Sequence, residues 1–151
     1  MKKYCLVAGI GAGEYAISSF DSALLDAGVG NYNLVRVSSI LPPDCQKSQT
    51  ISSSPGSVLF TAYAALTTKD VAKIASAVAV AIPKEPIECG VIMEYSDNTD
   101  KDTAIRIVEH LAEDAMYRRG IPCKEIVSIG VETDTDGTMF FTTFAGIGLF
   151  G

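Results

Sequence analysis

The chain alternates between short apolar runs and stretches whose apolar residues recur at helical spacing. Tyr4-Cys-Leu-Val-Ala8 predicts a strand over Lys3–Gly9, and Gly9–Gly13 reads as a loop. Glu14–Ala27 carries Ala16, Ile17, Phe20, Ala23, Leu24 and Ala27 on one helical face, with Gly28 where a C-terminal cap belongs. Leu34–Val37 and Ser57–Leu66 read as strands. Thr67 or Thr68 then caps a helix to about Ile82, whose Val71, Ile74, Ala75, Val78, Ala79 and Ile82 share a face; Pro83 and Pro86 end it. Glu88–Tyr95 predicts a further strand. Asp97–Asp100 caps a helix to Arg119, with a stripe of Ala104, Ile107, Val108, Leu111, Ala112 and Ala115 and outward pairs Asp102–Arg106 and Asp114–Arg118. Glu125–Glu132 and Met139–Ala145 read as a hairpin across Asp134-Thr-Asp-Gly137. The order is β-α-β-β-α-β-α-β-β, which leaves a layered α/β or α+β domain open, with an antiparallel or mixed sheet.

Composition narrows the classes. The 151 residues are 48% apolar and 20% charged, a globular balance, and their number suits one domain over residues 1–151 with a real core. A net charge of −6 without a basic block argues against nucleic acid and anionic membrane, and suits a cationic small ligand. No apolar run is long enough for a membrane helix, and Met-Lys-Lys is not followed by a signal-peptide hydrophobic region, so a cytoplasmic protein is expected. Cys5, Cys45, Cys89 and Cys123 are scattered, without CxxC, and read as small buried apolar residues; no metal site is expected. The single histidine, His110, reads as a solvated helix residue.

Two motifs suggest other chemistry. Gly11-Ala-Gly13-Glu-Tyr-Ala16 matches a dinucleotide fingerprint between a strand and a helix. No acidic residue follows at the required distance, where Arg36 and serines stand instead. The glycines are better explained by close packing and a tight turn. Asp134 and Asp136 resemble a calcium loop, but Asp-Gly turn chemistry accounts for them.

Asn33-Leu-Val-Arg-Val-Ser-Ser-Ile-Leu-Pro-Pro43 is the informative stretch. A strand meets Ser38-Ser39 and then two prolines, neither of which has an N–H to continue a ladder. A hydroxyl held at such a junction has a backbone carbonyl at short range, the arrangement needed for a chain to attack its own peptide bond. With Phe20-Asp-Ser-Ala-Leu24, Ala27-Gly-Val-Gly-Asn31 and Gly90-Val-Ile-Met-Glu94, this stretch closely resembles the pyruvoyl-dependent arginine decarboxylases.

The resemblance implies a four-layer αββα sandwich of mainly antiparallel or mixed sheets. It also implies a homo-oligomer, a trimer or a dimer of trimers, with active sites between subunits. The chain would cleave itself between Ser38 and Ser39 into residues 1–38 and 39–151, and Ser39 would become a covalent pyruvoyl group. Asn33, six residues earlier, matches the asparagine that assists cleavage, where its amide faces a developing oxyanion. Glu94 falls where the family places its essential glutamate, the acid that reprotonates the substrate carbon after CO₂ leaves; burial there favours its neutral form. Asp21 matches the aspartate that takes the substrate guanidinium through two parallel N–H bonds. Ile17 and Leu24, on the same helical face, would line the aliphatic stem, and Gly30 would allow close backbone approach to the ligand. The implied reaction is decarboxylation of arginine to agmatine, a step of polyamine supply. The alternatives are a pyruvoyl decarboxylase for another amino acid and an unprocessed, non-catalytic paralogue.

Overall fold

The computed structural model describes residues 1–151. In chain order its elements are β1 (Lys3–Gly13), α1 (Ala16–Asp26), β2 (Asn33–Arg36), β3 (Ile40–Leu41), β4 (Gln46–Lys47), β5 (Val58–Thr68), β6 (Ala72–Pro83), β7 (Gly90–Asp97), α2 (Lys101–Arg118), β8 (Cys123–Thr135) and β9 (Phe140–Phe150). The first sheet has the order β2-β5-β9-β1-β4, and the second β3-β7-β6-β8. Most pairings are antiparallel; β2 with β5 and β4 with β1 are parallel.

Three apolar clusters stack the elements into layers. Cys5, Val7, Ala23, Val29, Leu59 and Phe144 join α1 to the outer face of the first sheet. Tyr4, Ala62, Val78, Val80, Ile92, Ala145, Ile147 and Leu149 fill the space between the sheets. Ala75, Ala77, Ala79, Ala81, Val108, Ala112 and Met116 join the second sheet to α2. The sequence of layers is helix, sheet, sheet, helix, the αββα arrangement expected.

β6 is a strand where the apolar spacing predicts a helix running from a Thr67 or Thr68 cap to about Ile82. Its apolar residues do fit a helical face, but they fit a period of two as well. Ala75, Ala77, Ala79 and Ala81 face α2, while Val78 and Val80 face the first sheet. A strand covered on both faces has no polar side to betray it, and the branched residues are concentrated on the side that needs bulk. The small alanines let α2 approach closely. β6 lies between β7 and β8, paired with both.

The expected hairpin is also absent. β8 pairs with β6 in the second sheet, whereas β9 pairs with β1 and β5 in the first. The turn chemistry was read correctly: Asp136 accepts from the Thr138 amide at 3.0 Å and Gly137 has φ 80°. That turn carries the chain across to the other sheet. Asp134 meets Lys73 at 3.4 Å, so the two aspartates serve different partners.

Gly9–Gly13, expected as a loop, continues β1 in unbroken register, Gly9 opposite Phe144 and Gly13 opposite Phe140. A Cβ on Gly9 would lie 2.4 Å from the Ala23 carbonyl oxygen, and one on Gly11 2.3 Å from that of Ser19. These glycines let α1 rest directly on the strand, and no tight turn is involved. α1 ends as expected: Gly28, at φ 78°, and Val29 donate to the Leu25 and Leu24 carbonyls at 3.0 and 2.9 Å, closing the last turn. In α2, Asp100 caps Thr103 at 2.8 Å. Asp114–Arg118 forms at 2.7 Å, but Arg106 donates to Thr103 rather than pairing with Asp102. Leu111 is 38% exposed and Met116 takes the buried place at the end of the stripe. His110 is exposed, and the four cysteines are free thiols, of which only Cys5 is fully buried. No helix is long and apolar enough to cross a membrane.

Candidate active site

The serine pair stands where the chain leaves one sheet for the other. β2 runs parallel to β5, and Val37 extends that contact by donating to the Thr61 carbonyl at 3.2 Å. Two residues later the Ser39 carbonyl accepts from the Ile92 amide at 2.9 Å, and Ile40 and Leu41 pair with Val91 and Gly90 of β7. Gly90 makes this pairing possible, since a Cβ there would sit 2.5 Å from the Ala81 oxygen and 3.1 Å from Leu41. Ser38 is exposed at the crossing and Ser39 half-buried.

Ser39 has φ 76°, in the left-handed region that serine seldom enters. A conformation of this kind costs on the order of 1–3 kcal/mol and persists only where neighbours impose it. Two neighbours do so here: the backbone bond to Ile92, and the side chain of Glu94. The Ser39 hydroxyl donates to Glu94, with Oγ 2.8 Å from Oε1 and 3.0 Å from Oε2.

Glu94 shares the inward face of β7 with Ile92, because side chains alternate along a strand. Burial pushes its carboxyl above the usual carboxylate range, and the Ser39 hydroxyl and the Arg36 guanidinium offset part of that rise. Arg36 is held in turn: its Cζ lies 4.4 Å over the Tyr63 ring and it donates to the Tyr63 carbonyl. The sequence reading gave Arg36 no part in the site. The available signal was a cation three residues before Ser39 on an edge strand. Also missed is the bonded set beyond Glu94, where Ser76 meets Ser96 at 2.6 Å and Thr143 at 2.8 Å. The hydroxyls inside otherwise apolar strands were its trace.

The other expected site residues lie elsewhere. Asn33 opens β2, and its amide donates to the Gly56 carbonyl at 2.8 Å, tying down the Ser54-Pro-Gly-Ser57 turn. It does not meet Ser39. Asp21 is exposed on the outer face of α1, in a shallow depression of about 550 Å³ that Ile17 and Leu24 also line. Gly30 rests on Leu25, whose Cδ2 would be 2.6 Å from a Cβ there, so its small size serves that packing. Within one chain, then, Ser39 and Glu94 come together, while Asp21, Ile17 and Leu24 form a second group on the α1 layer.

Comparison with known proteins places the chain in a family. The family model for pyruvoyl-dependent arginine decarboxylase matches residues 3–143. The pyruvoyl-dependent arginine decarboxylase of Methanocaldococcus jannaschii is 40% identical over 128 residues, covering 84% of this chain and 78% of the relative. That of Methanocella arvoryzae is 35% identical over 99% of this chain and 95% of its own length. A solved pyruvoyl-dependent histidine decarboxylase superposes with a TM-score of 0.52 at 12% identity, over 66% of this chain and 53% of that one, a likeness of fold. By its match across nearly the whole length, this chain belongs to the pyruvoyl-dependent arginine decarboxylase family.

Proposed function

We propose that the protein decarboxylates L-arginine to agmatine and CO₂ with a pyruvoyl group that it makes from its own Ser39. The observation that carries this reading is the Ser39 hydroxyl seated on Glu94 in a left-handed backbone, one residue after an exposed serine. Those residues fit a group formed in place: a nucleophile, a proton acceptor, and a strained linkage whose strain is relieved when it breaks.

In the self-cleavage, Ser39 Oγ bonds to the Ser38 carbonyl carbon, the Ser38–Ser39 C–N bond breaks, and the Ser39 nitrogen takes up a proton. The peptide has become an ester. Loss of the Ser39 α-proton then expels the Ser38 carboxylate, freeing residues 1–38, and water displaces ammonia from residue 39. Glu94 accepts the Oγ proton at the outset. Asn33 assists by donating to the oxyanion at Ser38, which requires its amide to leave Gly56.

The pyruvoyl group supplies an electron-withdrawing carbonyl that condenses with the substrate amine. The chain's own residues do the rest. Glu94, whose carboxyl burial pushes above the usual carboxylate range, returns a proton to the substrate Cα once CO₂ has gone. Asp21 accepts two N–H bonds from the guanidinium, and Ile17 and Leu24 cover the methylene stem. Asp21 and Glu94 sit on different layers of one chain, so the complete site lies between copies, in a trimer or a dimer of trimers. Ile17, 74% exposed, supports a neighbour on that face. The protein works in the cytoplasm, with arginine as its small-molecule partner.

Purified, aged protein is the test. Phenylhydrazine should label the new N-terminus at position 39, and the same material should release CO₂ from arginine. Label without release from arginine, but with release from another amino acid, would replace the substrate. An intact chain with no label would make the protein an unprocessed paralogue.

A further inference from the structure

Cutting the Ser38–Ser39 bond would leave residues 1–38 ending in a carboxylate, a charge that the whole chain does not have at that place. The strand that leads to the cut carries the opposite charge. Side chains alternate along β2 and its extension, so Leu34, which packs on the α1 side, shares a face with Arg36 and Ser38, while Val37 faces the core between the sheets. The parallel register sets Arg36 opposite Thr61. The Val37 amide continues that register by donating to the Thr61 carbonyl at 3.2 Å, and one residue further it brings Ser38 alongside Tyr63. The Arg36 side chain leans the same way. Its Cζ lies 4.4 Å over the Tyr63 ring, and it donates to the Tyr63 carbonyl. The guanidinium therefore rests on the residue beside which the new carboxylate forms.

Arg36 also has donors to spare. A guanidinium carries several N–H groups, and the bond to the Tyr63 carbonyl is the one hydrogen bond that Arg36 makes in the chain. The protein's ion pairs belong to Lys73 and Arg118, and Arg36 has no carboxylate partner. Arg36 and Ser38 are both exposed, so no packed side chain separates them from one another's reach.

We propose that Arg36 takes up the Ser38 carboxylate as it leaves, through paired N–H bonds, and afterwards holds the end of the 1–38 fragment in place. The inference rests on the Ser39 reading. In the step assisted, water takes the Ser39 α-proton and the C–H electron pair becomes the Cα=Cβ bond of residue 39. The Cβ–Oγ bond breaks, with its electron pair on the Ser38 carboxylate. A cation fixed there speeds this step, because the negative charge develops only as that bond breaks. Formation of the ester, which releases no carboxylate, does not need it.

Freshly purified full-length protein tests this by intact mass over time, with and without hydroxylamine. Hydroxylamine splits the ester form, leaving a hydroxamate at Ser38 and a serine at the start of 39–151, where completed processing leaves a pyruvoyl group. Arg36→Gln, which keeps an N–H for the Tyr63 carbonyl but loses the charge, should release fragments about tenfold more slowly or worse, the loss of hydrogen bonding to a charged group. The hydroxylamine-sensitive ester should accumulate in it. Arg36→Ala should behave likewise, with methylguanidine restoring release, and serves if Arg36→Gln does not fold. Release at the wild-type rate in either variant, slow release without accumulation of the ester, or no response of Arg36→Ala to methylguanidine would overturn the proposal. A wild-type chain that never cleaves would overturn the Ser39 reading and this proposal with it, so the two failures are told apart.

Discussion

The Ser39 carbonyl accepts the Ile92 amide at 2.9 Å, and that single backbone bond sets which side chain of β7 the Ser39 hydroxyl meets. Two residues beyond Ile92, on the same face, stands Glu94. A slip of one residue in this pairing would bring Met93 or Tyr95 instead, both of which pack toward α2. The register between a two-residue strand and β7 therefore determines whether a carboxylate stands at the Ser39 hydroxyl.

Ser39→Ala should leave the chain whole. Intact-mass spectrometry of the wild type should find fragments 1–38 and 39–151, and of the variant only the 16.0 kDa chain. Cleavage at the usual rate in the variant would remove Ser39 as the nucleophile.

Glu94→Gln should abolish CO₂ release while cleavage persists at a reduced rate, because glutamine still accepts the Ser39 hydrogen bond but takes up no proton. Wild-type turnover should fall as pH rises through the raised Glu94 pKa, since the acid is lost. Stability follows the same sign. Between the unfolded and the raised folded pKa the native state holds more protons, so this group's contribution is greatest at low pH and is lost as pH rises through the folded value. Thermal melts should show wild type gaining on Glu94→Gln as pH is lowered.

Asp21→Asn should raise KM for arginine with less effect on kcat. Losing charge-assisted bonds to a guanidinium costs about 1.5–3 kcal/mol, roughly 10- to 150-fold in kcat/KM. A variant with unchanged steady-state kinetics would exclude Asp21 from substrate recognition.

Gly11→Ala forces a methyl group to within 2.3 Å of a helix carbonyl oxygen. The overpacked contact should cost about 1–3 kcal/mol or more, read as a lower urea midpoint. No change in stability would mean that α1 is free to move off β1.

How much of this was legible in the chain depends on how local each signal is. α1 with its Gly28 cap, α2 with its Asp100 cap, and the apolar strands β1, β5 and β7 announce themselves through side-chain period and terminal chemistry, which act within a few residues. The serine pair before two prolines, Glu94 within its strand, and Asp21 on its helix face were readable for the same reason. β6 was not, because a strand buried on both faces has lost the alternation of polar and apolar residues that distinguishes it from a helix. The destination of β9 was hidden as well: an Asp-Gly turn specifies a reversal, not which sheet receives the next strand. Only the folded chain decided that the Ser39 hydroxyl rests on a carboxylate 55 residues away, that Arg36 lies on Tyr63 beside it, and that Asn33 and Asp21 stand apart from both. Those relationships depend on how two sheets register and pack, a property of many weak contacts summed over the whole core and written in no single segment.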